Sequence, residues 1–126
     1  MLYSNREDTS KLLVMMAMTA FPAKRKEFLQ TVQALIQSIR KEKGCIICSA
    51  CQDIEDKNTF HLIESWENQQ DLDKHFRSDL FAVLLGTKNF LSEPLEIKFY
   101  TVSSTTGIGA INKSTQENNL ITLKNS

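Results

Sequence analysis

TFHLIESWENQQDLDKHFRSDLFAVLL, residues 59–85, changes its hydrophobic period once, and that change decides the fold. From Thr59 to Trp66 the side chains alternate. Phe60, Leu62, Glu64 and Trp66 fall on one parity and His61, Ile63 and Ser65 on the other, which is the two-residue period of a strand. Asn68 ends the alternation. With Asp71 three residues on, it makes an N-cap with an acidic third position, and Leu72, Phe76 and Leu80 follow at helical spacing. Ser78, inside Arg77-Ser78-Asp79, is a second N-cap, so the helix is expected to break or kink before Leu80.

Upstream, Glu55-Asp56-Lys57-Asn58 is a turn cluster that predicts a hairpin, with Cys45 to Asp53 as the partner strand. Before it, Phe28, Leu29, Val32, Leu35, Ile36 and Ile39 form one apolar stripe at the 3.6-residue period. Pro22 suits the first helical turn, Lys41 and Lys43 the last, and Gly44 is the expected C-cap. Lys11 to Ala20 reads as a strand, but it is apolar on both parities: Leu12, Val14, Met16 and Met18 on one side, Leu13, Met15 and Ala17 on the other. Such a strand is expected to be central and covered on both faces. Downstream, Pro94 closes the helical region and Leu95 to Val102 alternates as a fourth strand.

The order is β-α-β-β-α-β. Short connections and right-handed crossovers turn this into an α+β, ferredoxin-like antiparallel sheet with both helices on one face. The helices leave the second face of the first strand uncovered. A second copy of the chain, packed sheet against sheet, is the economical cover, so a homodimer through the sheet face is expected.

The composition narrows the function classes. A chain of 126 residues with 41% hydrophobic and 24% charged content is one globular domain. Fifteen basic and fifteen acidic residues cancel, which leaves no global field for nucleic acid or anionic lipid. Lys24-Arg25-Lys26 reads as a solvated helix face. No apolar run is long enough for a membrane span, and no cleavage pattern follows Leu12 to Ala20, so a cytoplasmic location is expected. The folded domain is expected over residues 11–102, with a loose arm over 1–10. A polar tail runs over 103–126, in which Leu120-Ile121-Thr122-Leu123 could add a short strand to a sheet edge. Gly107-Ile108-Gly109 lacks the strand and helix that would make it a phosphate loop.

Cys45, Cys48 and Cys51 have C-x-x-C-x-x-C spacing, but an iron–sulfur cluster needs a fourth cysteine and the chain has three. Strand alternation predicts Cys45 and Cys51 on one face and Cys48 on the other, where they cannot converge on a metal. All three are expected to be buried and unreactive.

Chemistry concentrates at the corner where the residue 59–66 strand meets the following helix. Glu64, Trp66 and His75 bring a carboxylate, the chain's one indole and one of its two imidazoles together. A buried carboxylate requires a partner, and His75 is the candidate. Such a pair beside an aromatic wall is a proton-transfer unit, because imidazole titrates near neutral pH. The same residues also suit ordinary packing: a Trp at a strand end fills cores, and a helix-flank His is commonly satisfied structurally. His61 alternates to the opposite face.

Phe28 to Val32, Glu42-Lys43-Gly44-Cys45, Glu64-Ser65-Trp66-Glu67 and Asp71-Leu72-Asp73-Lys74-His75 together resemble the antibiotic biosynthesis monooxygenase (ABM) domain family over about residues 11–102. The resemblance implies a ferredoxin-like protomer, a dimeric α/β barrel and a pocket between helices and sheet. In the quinol-monooxygenase-like branch it implies catalysis by His75 and Glu64 on a small quinol or phenol. Trp66, Leu62, Leu72 and Phe76 would then contact the substrate, with molecular oxygen as co-substrate and no other cofactor or metal. Leu62 and Leu72 stand where the aromatic-polyketide oxygenases carry Asn and Tyr. His75 stands where the haem-degrading branch has Trp, and Leu85 lies near its iron-binding His. Two other function classes fit the same residues: a non-redox isomerase using the same acid/base pair, and a non-catalytic dimer that binds a small molecule.

Overall fold

A computed structural model describes residues 10–109. The expected arm over residues 1–10, apart from Ser10, and the strand suggested over residues 120–123 lie outside them. Among the described residues the elements are β1 (Lys11–Thr19), α1 (Arg25–Ile39), β2 (Cys45–Gln52), β3 (Thr59–Trp66), α2 (Gln69–Phe76), α3 (Asp79–Gly86) and β4 (Glu96–Val102). A 3-10 turn over Pro22–Lys24 leads into α1 and another over Thr87–Phe90 follows α3.

The four strands form one antiparallel sheet in the order β2-β3-β1-β4, the ferredoxin-like arrangement that the β-α-β-β-α-β order demands. β1 is central, as its two apolar parities require. Its even residues, Val14, Met16 and Met18, are at most 2% exposed beneath the helices. Phe28, Val32, Ile36 and Ile39 of α1 are buried with them, and Phe28 packs on Phe60 at 5.5 Å between ring centroids. The odd face of β1 has no helix over it. Met15 there is 39% exposed, with Ile47 of β2 at 50% and Tyr100 of β4 at 44% on the same face of the sheet.

Both predicted caps form. Asn68 accepts a hydrogen bond from the Asp71 backbone N–H at 2.8 Å, and Ser78 Oγ accepts one from Phe81 at 3.2 Å. The helical region is therefore two helices joined at Arg77-Ser78.

Two expectations fail locally. α1 ends at Ile39 with Arg40 as a right-handed cap, so Gly44 is not its C-cap. Gly44 instead adopts φ +87° immediately before β2, and a Cβ there would run into the Asp71 side chain. Glycine is required by both the left-handed backbone and the close approach. Successive turns, with Lys41 N–H donating to Ser38 and Glu42 N–H to Ile39, carry the chain round to it.

The second failure is in β2. The register shifts between Cys45, which pairs with Trp66, and Ile47, which pairs with Ser65. This bulge inserts one residue and reverses the alternation. Cys45 and Cys48, which pairs with Glu64, therefore share the helix-covered face, while Cys51 pairs with His61 on the open face. The expectation of three buried cysteines holds only for Cys48; Cys45 is half-buried and Cys51 exposed. Desolvation, followed by the negative charge of Glu64, pushes the Cys48 thiol up to about 12, so it stays protonated.

Candidate functional site

β3 delivers Glu64 and Trp66 to the helix side of the sheet, and only Glu67 and Asn68 separate the end of that strand from α2. The buried residues of α2 are Asp71, Leu72 and His75, which lie on one helical face because residues three and four apart are neighbours. That face turns His75 back over Trp66. The two rings stack at 4.5 Å between centroids with an interplanar angle of 27°.

The polar atoms beneath this stack form a connected set. Trp66 Nε1–H donates to Glu64 Oε1 at 2.9 Å. His75 Nε2 lies 3.3 Å from the same oxygen, an ion-pair distance without a formed hydrogen bond. On its other side, His75 Nδ1 is 2.8 Å from Glu42 Oε1. A carboxylate has no proton to give, so Nδ1–H is the donor. Glu64 and Trp66 are 0% exposed and His75 1%. Glu64 Oε2 is buried and has no hydrogen-bond partner among the described residues.

Burial by itself disfavours a charged imidazole. The close approach and charge of Glu64, then of Glu42, outweigh it and hold the His75 pKa above its ordinary 6.5. The two carboxylates therefore favour the protonated imidazole.

The remaining expected residues surround this centre. Leu62 and Leu72 are each 1% exposed, in the core on either side of the corner. Phe76 is half-buried and begins an aromatic run toward β4: it packs on Phe81 at 4.8 Å and edge-on against Phe99 at 5.4 Å. Phe81 also meets the His75 ring at 5.4 Å, and Phe99 is 54% exposed. The run connects the buried imidazole to the surface through aromatic side chains alone. His61 is on the opposite face, as expected, paired to Asp53 at 3.0 Å. A groove of about 730 Å³ between α1 and β2, with Leu29, Ile36, Ala50 and Phe60 among its walls, does not include Glu64, Trp66 or His75.

Glu42, Phe81 and Phe99 belong to the site by contact, and the sequence reading assigned none of them a role. Glu42 lies 33 residues from His75, so no helical or strand period connects them. Its only trace was its presence in the Glu42-to-Cys45 segment.

Three comparisons place the chain among known proteins. The family profile described as Antibiotic biosynthesis monooxygenase matches residues 12–84. An uncharacterised protein of Synechocystis sp. is 35% identical over 85 residues, which are 67% of this chain and 58% of that protein, so the chain spans little more than half of that relative. YcnE of Bacillus subtilis, provisionally named a monooxygenase, is 31% identical over 77 residues, covering 60% of this chain and 81% of YcnE. The crystal structure of a conserved protein from Methanosarcina mazei Go1 superimposes with a TM-score of 0.69 at 28% identity, covering 76% of this chain and 96% of that one. With the profile matching more than half its length, the chain belongs to the antibiotic biosynthesis monooxygenase family.

Proposed function

We propose that this protein is a monooxygenase for a small quinol or phenol, with molecular oxygen as co-substrate and neither flavin nor metal. The observation that carries the reading is Glu64 Oε2, a sealed carboxylate oxygen beside an imidazole with no hydrogen-bond partner among the described residues. A substrate hydroxyl placed there is deprotonated by the Glu64–His75 pair. The resulting electron-rich anion transfers electrons to oxygen itself. For a quinol, one oxygen atom ends in the hydroxyquinone and the other in water, and the substrate supplies all the electrons. Trp66 forms the wall under His75, and Leu62, Leu72 and Phe76 supply apolar surroundings. In such a dry site the base acts on a group whose ordinary pKa is near 10.

Oxygen uptake with a panel of quinols tests the reading. His75→Ala and Glu64→Ala are expected to reduce uptake by roughly a hundredfold, the usual worth of a positioned acid–base group. Uptake equal to wild type in both variants overturns the roles. Substrate turnover without oxygen consumption would instead assign the pair to non-redox proton transfer.

The open sheet face supports the second part of the proposal, a homodimer packed sheet to sheet. Met15, Ile47 and Tyr100 give that face an exposed apolar surface. Sedimentation of wild type is expected at twice the chain mass, and of Ile47→Glu at the monomer mass. Monomeric wild type would refute it. The three free thiols suit a reducing compartment, which we take to be the cytoplasm.

A further inference from the structure

We infer that Glu42 is the positioning residue of this site: it anchors the His75 Nδ1–H and thereby turns Nε2, the atom that gains and loses the proton, to the side of Glu64. The inference rests on the proton-transfer reading of Glu64 and His75 given above, and extends it to a residue outside the strand-to-helix corner.

Neutral imidazole carries one N–H, and the stronger hydrogen bond decides which nitrogen keeps it. His75 is flanked by a carboxylate on each side, but unequally: Nδ1 is 2.8 Å from Glu42 Oε1, whereas Nε2 is 3.3 Å from Glu64 Oε1 with no bond formed. The hydrogen therefore belongs on Nδ1. That leaves Nε2 as the basic atom, on the side where Glu64 Oε2 is buried with no hydrogen-bond partner among the described residues. The arrangement follows the base-and-orienter logic by which a carboxylate behind a histidine fixes its tautomer and stabilises the imidazolium that forms.

The local structure is built for this placement. Glu42 stands on the turns between α1 and β2, held by its own N–H donating to Ile39 at 3.0 Å and its carbonyl accepting from Cys45 at 3.2 Å. Two residues later Gly44 takes the left-handed conformation against Asp71, which seats the turn on α2 one helical turn before His75. The Glu42 side chain keeps 21% of its surface exposed, while those of His75 and Glu64 keep none. Other titratable groups near the trio are the thiols of Cys45 and Cys48 from β2, which feel both Glu64 and Glu42, and Arg40, whose charge reaches both thiols. Asp71 lies on the same helix as His75, and α3 contributes the uncharged Phe81.

Nitrogen-15 NMR of the imidazole reads the tautomer and its titration without any substrate. At pH above the His75 pKa, wild type is expected as Nδ1–H. Glu42→Gln, whose amide can donate to Nδ1, is expected to move the hydrogen to Nε2 and lower the His75 pKa. Glu42→Asp is expected to retain Nδ1–H and a titration nearer to wild type, which also covers the case in which the Gln variant fails to fold. In oxygen uptake, Glu42→Gln is expected to lose at least about tenfold and to shift the pH profile, as loss of an outer partner of a working histidine does. An Nε2–H tautomer in wild type, or a Gln variant with tautomer and titration unchanged, overturns the inference. Absence of oxygen uptake in wild type, with the tautomer switch intact, overturns the oxygenase reading and leaves Glu42's role standing.

Discussion

Trp66 and Glu64, two residues apart on one face of β3, are joined by a hydrogen bond from the indole N–H to the carboxylate at 2.9 Å, with both side chains fully buried. The largest side chain of the core is thereby a hydrogen-bond donor to the only carboxylate that is 0% exposed among the described residues. Trp66→Phe retains most of the stack on His75 but removes that donor. Leaving a buried charged acceptor short of a bond costs about 1–3 kcal/mol, measurable as a lower denaturation midpoint in urea at unchanged slope. A midpoint equal to wild type would mean that the indole acts by packing alone.

Stability should depend on pH through His75. Its folded pKa lies above the ordinary 6.5, so protonation is favoured in the folded state. The stabilisation it contributes is complete below the unfolded value and is lost as pH rises through the higher folded one. Melting temperature is expected to decline as pH rises above the ordinary 6.5 and through the higher folded value, and this component of the decline should vanish in His75→Phe. An identical slope in the variant would assign the dependence elsewhere.

Gly44→Ala is expected to destabilise the protein by about 1–3 kcal/mol, the usual cost of a non-glycine residue in a left-handed position, with more if Asp71 cannot give way. Asp71→Ala in the same background should recover part of the loss. Additive effects of the two changes in calorimetry would show that they do not meet.

The thiols should react in a fixed order. Cys51 is exposed, Cys45 half-buried and Cys48 buried, and Cys48 is held protonated by a pKa of about 12. A maleimide at mildly alkaline pH should label Cys51 first and Cys48 only after unfolding. Rapid native labelling of Cys48, located by peptide mass spectrometry, would contradict the burial described for it.

Much of this was legible in the chain before any coordinates. The period change at Asn68 placed the corner, Ser78 divided the helices, and the doubly apolar β1 put that strand in the centre with one face unpaid by helices. These signals are local: each depends on residues within a few positions of one another. The β2 bulge was not legible, because nothing in CIICSACQ marks where an extra residue enters the ladder, and one such residue reversed the facing of Cys45. Gly44 signalled a special backbone, but its partner Asp71 lies on another element, and proximity in sequence to the end of α1 made it look like a helix cap. Glu42 escaped for the same reason, since its contact with His75 exists only once α1, β2 and α2 have docked.

The break between α2 and α3 separates two duties. His75 belongs to α2, three residues before the Ser78 cap, and its carbonyl accepts the Ser78 hydroxyl at 2.6 Å. Phe81, which borders the imidazole from the outside, is carried by α3 beyond that joint. Glu42, Glu64 and Trp66 are anchored to the sheet and its turns, so none of the proton-handling atoms rides on α3. A change in the pitch of that short helix would shift Phe81 against the imidazole while Glu42, Glu64, Trp66 and His75 kept their contacts. On the proposed function, altering one helix would change what reaches the imidazole without rebuilding the groups behind it.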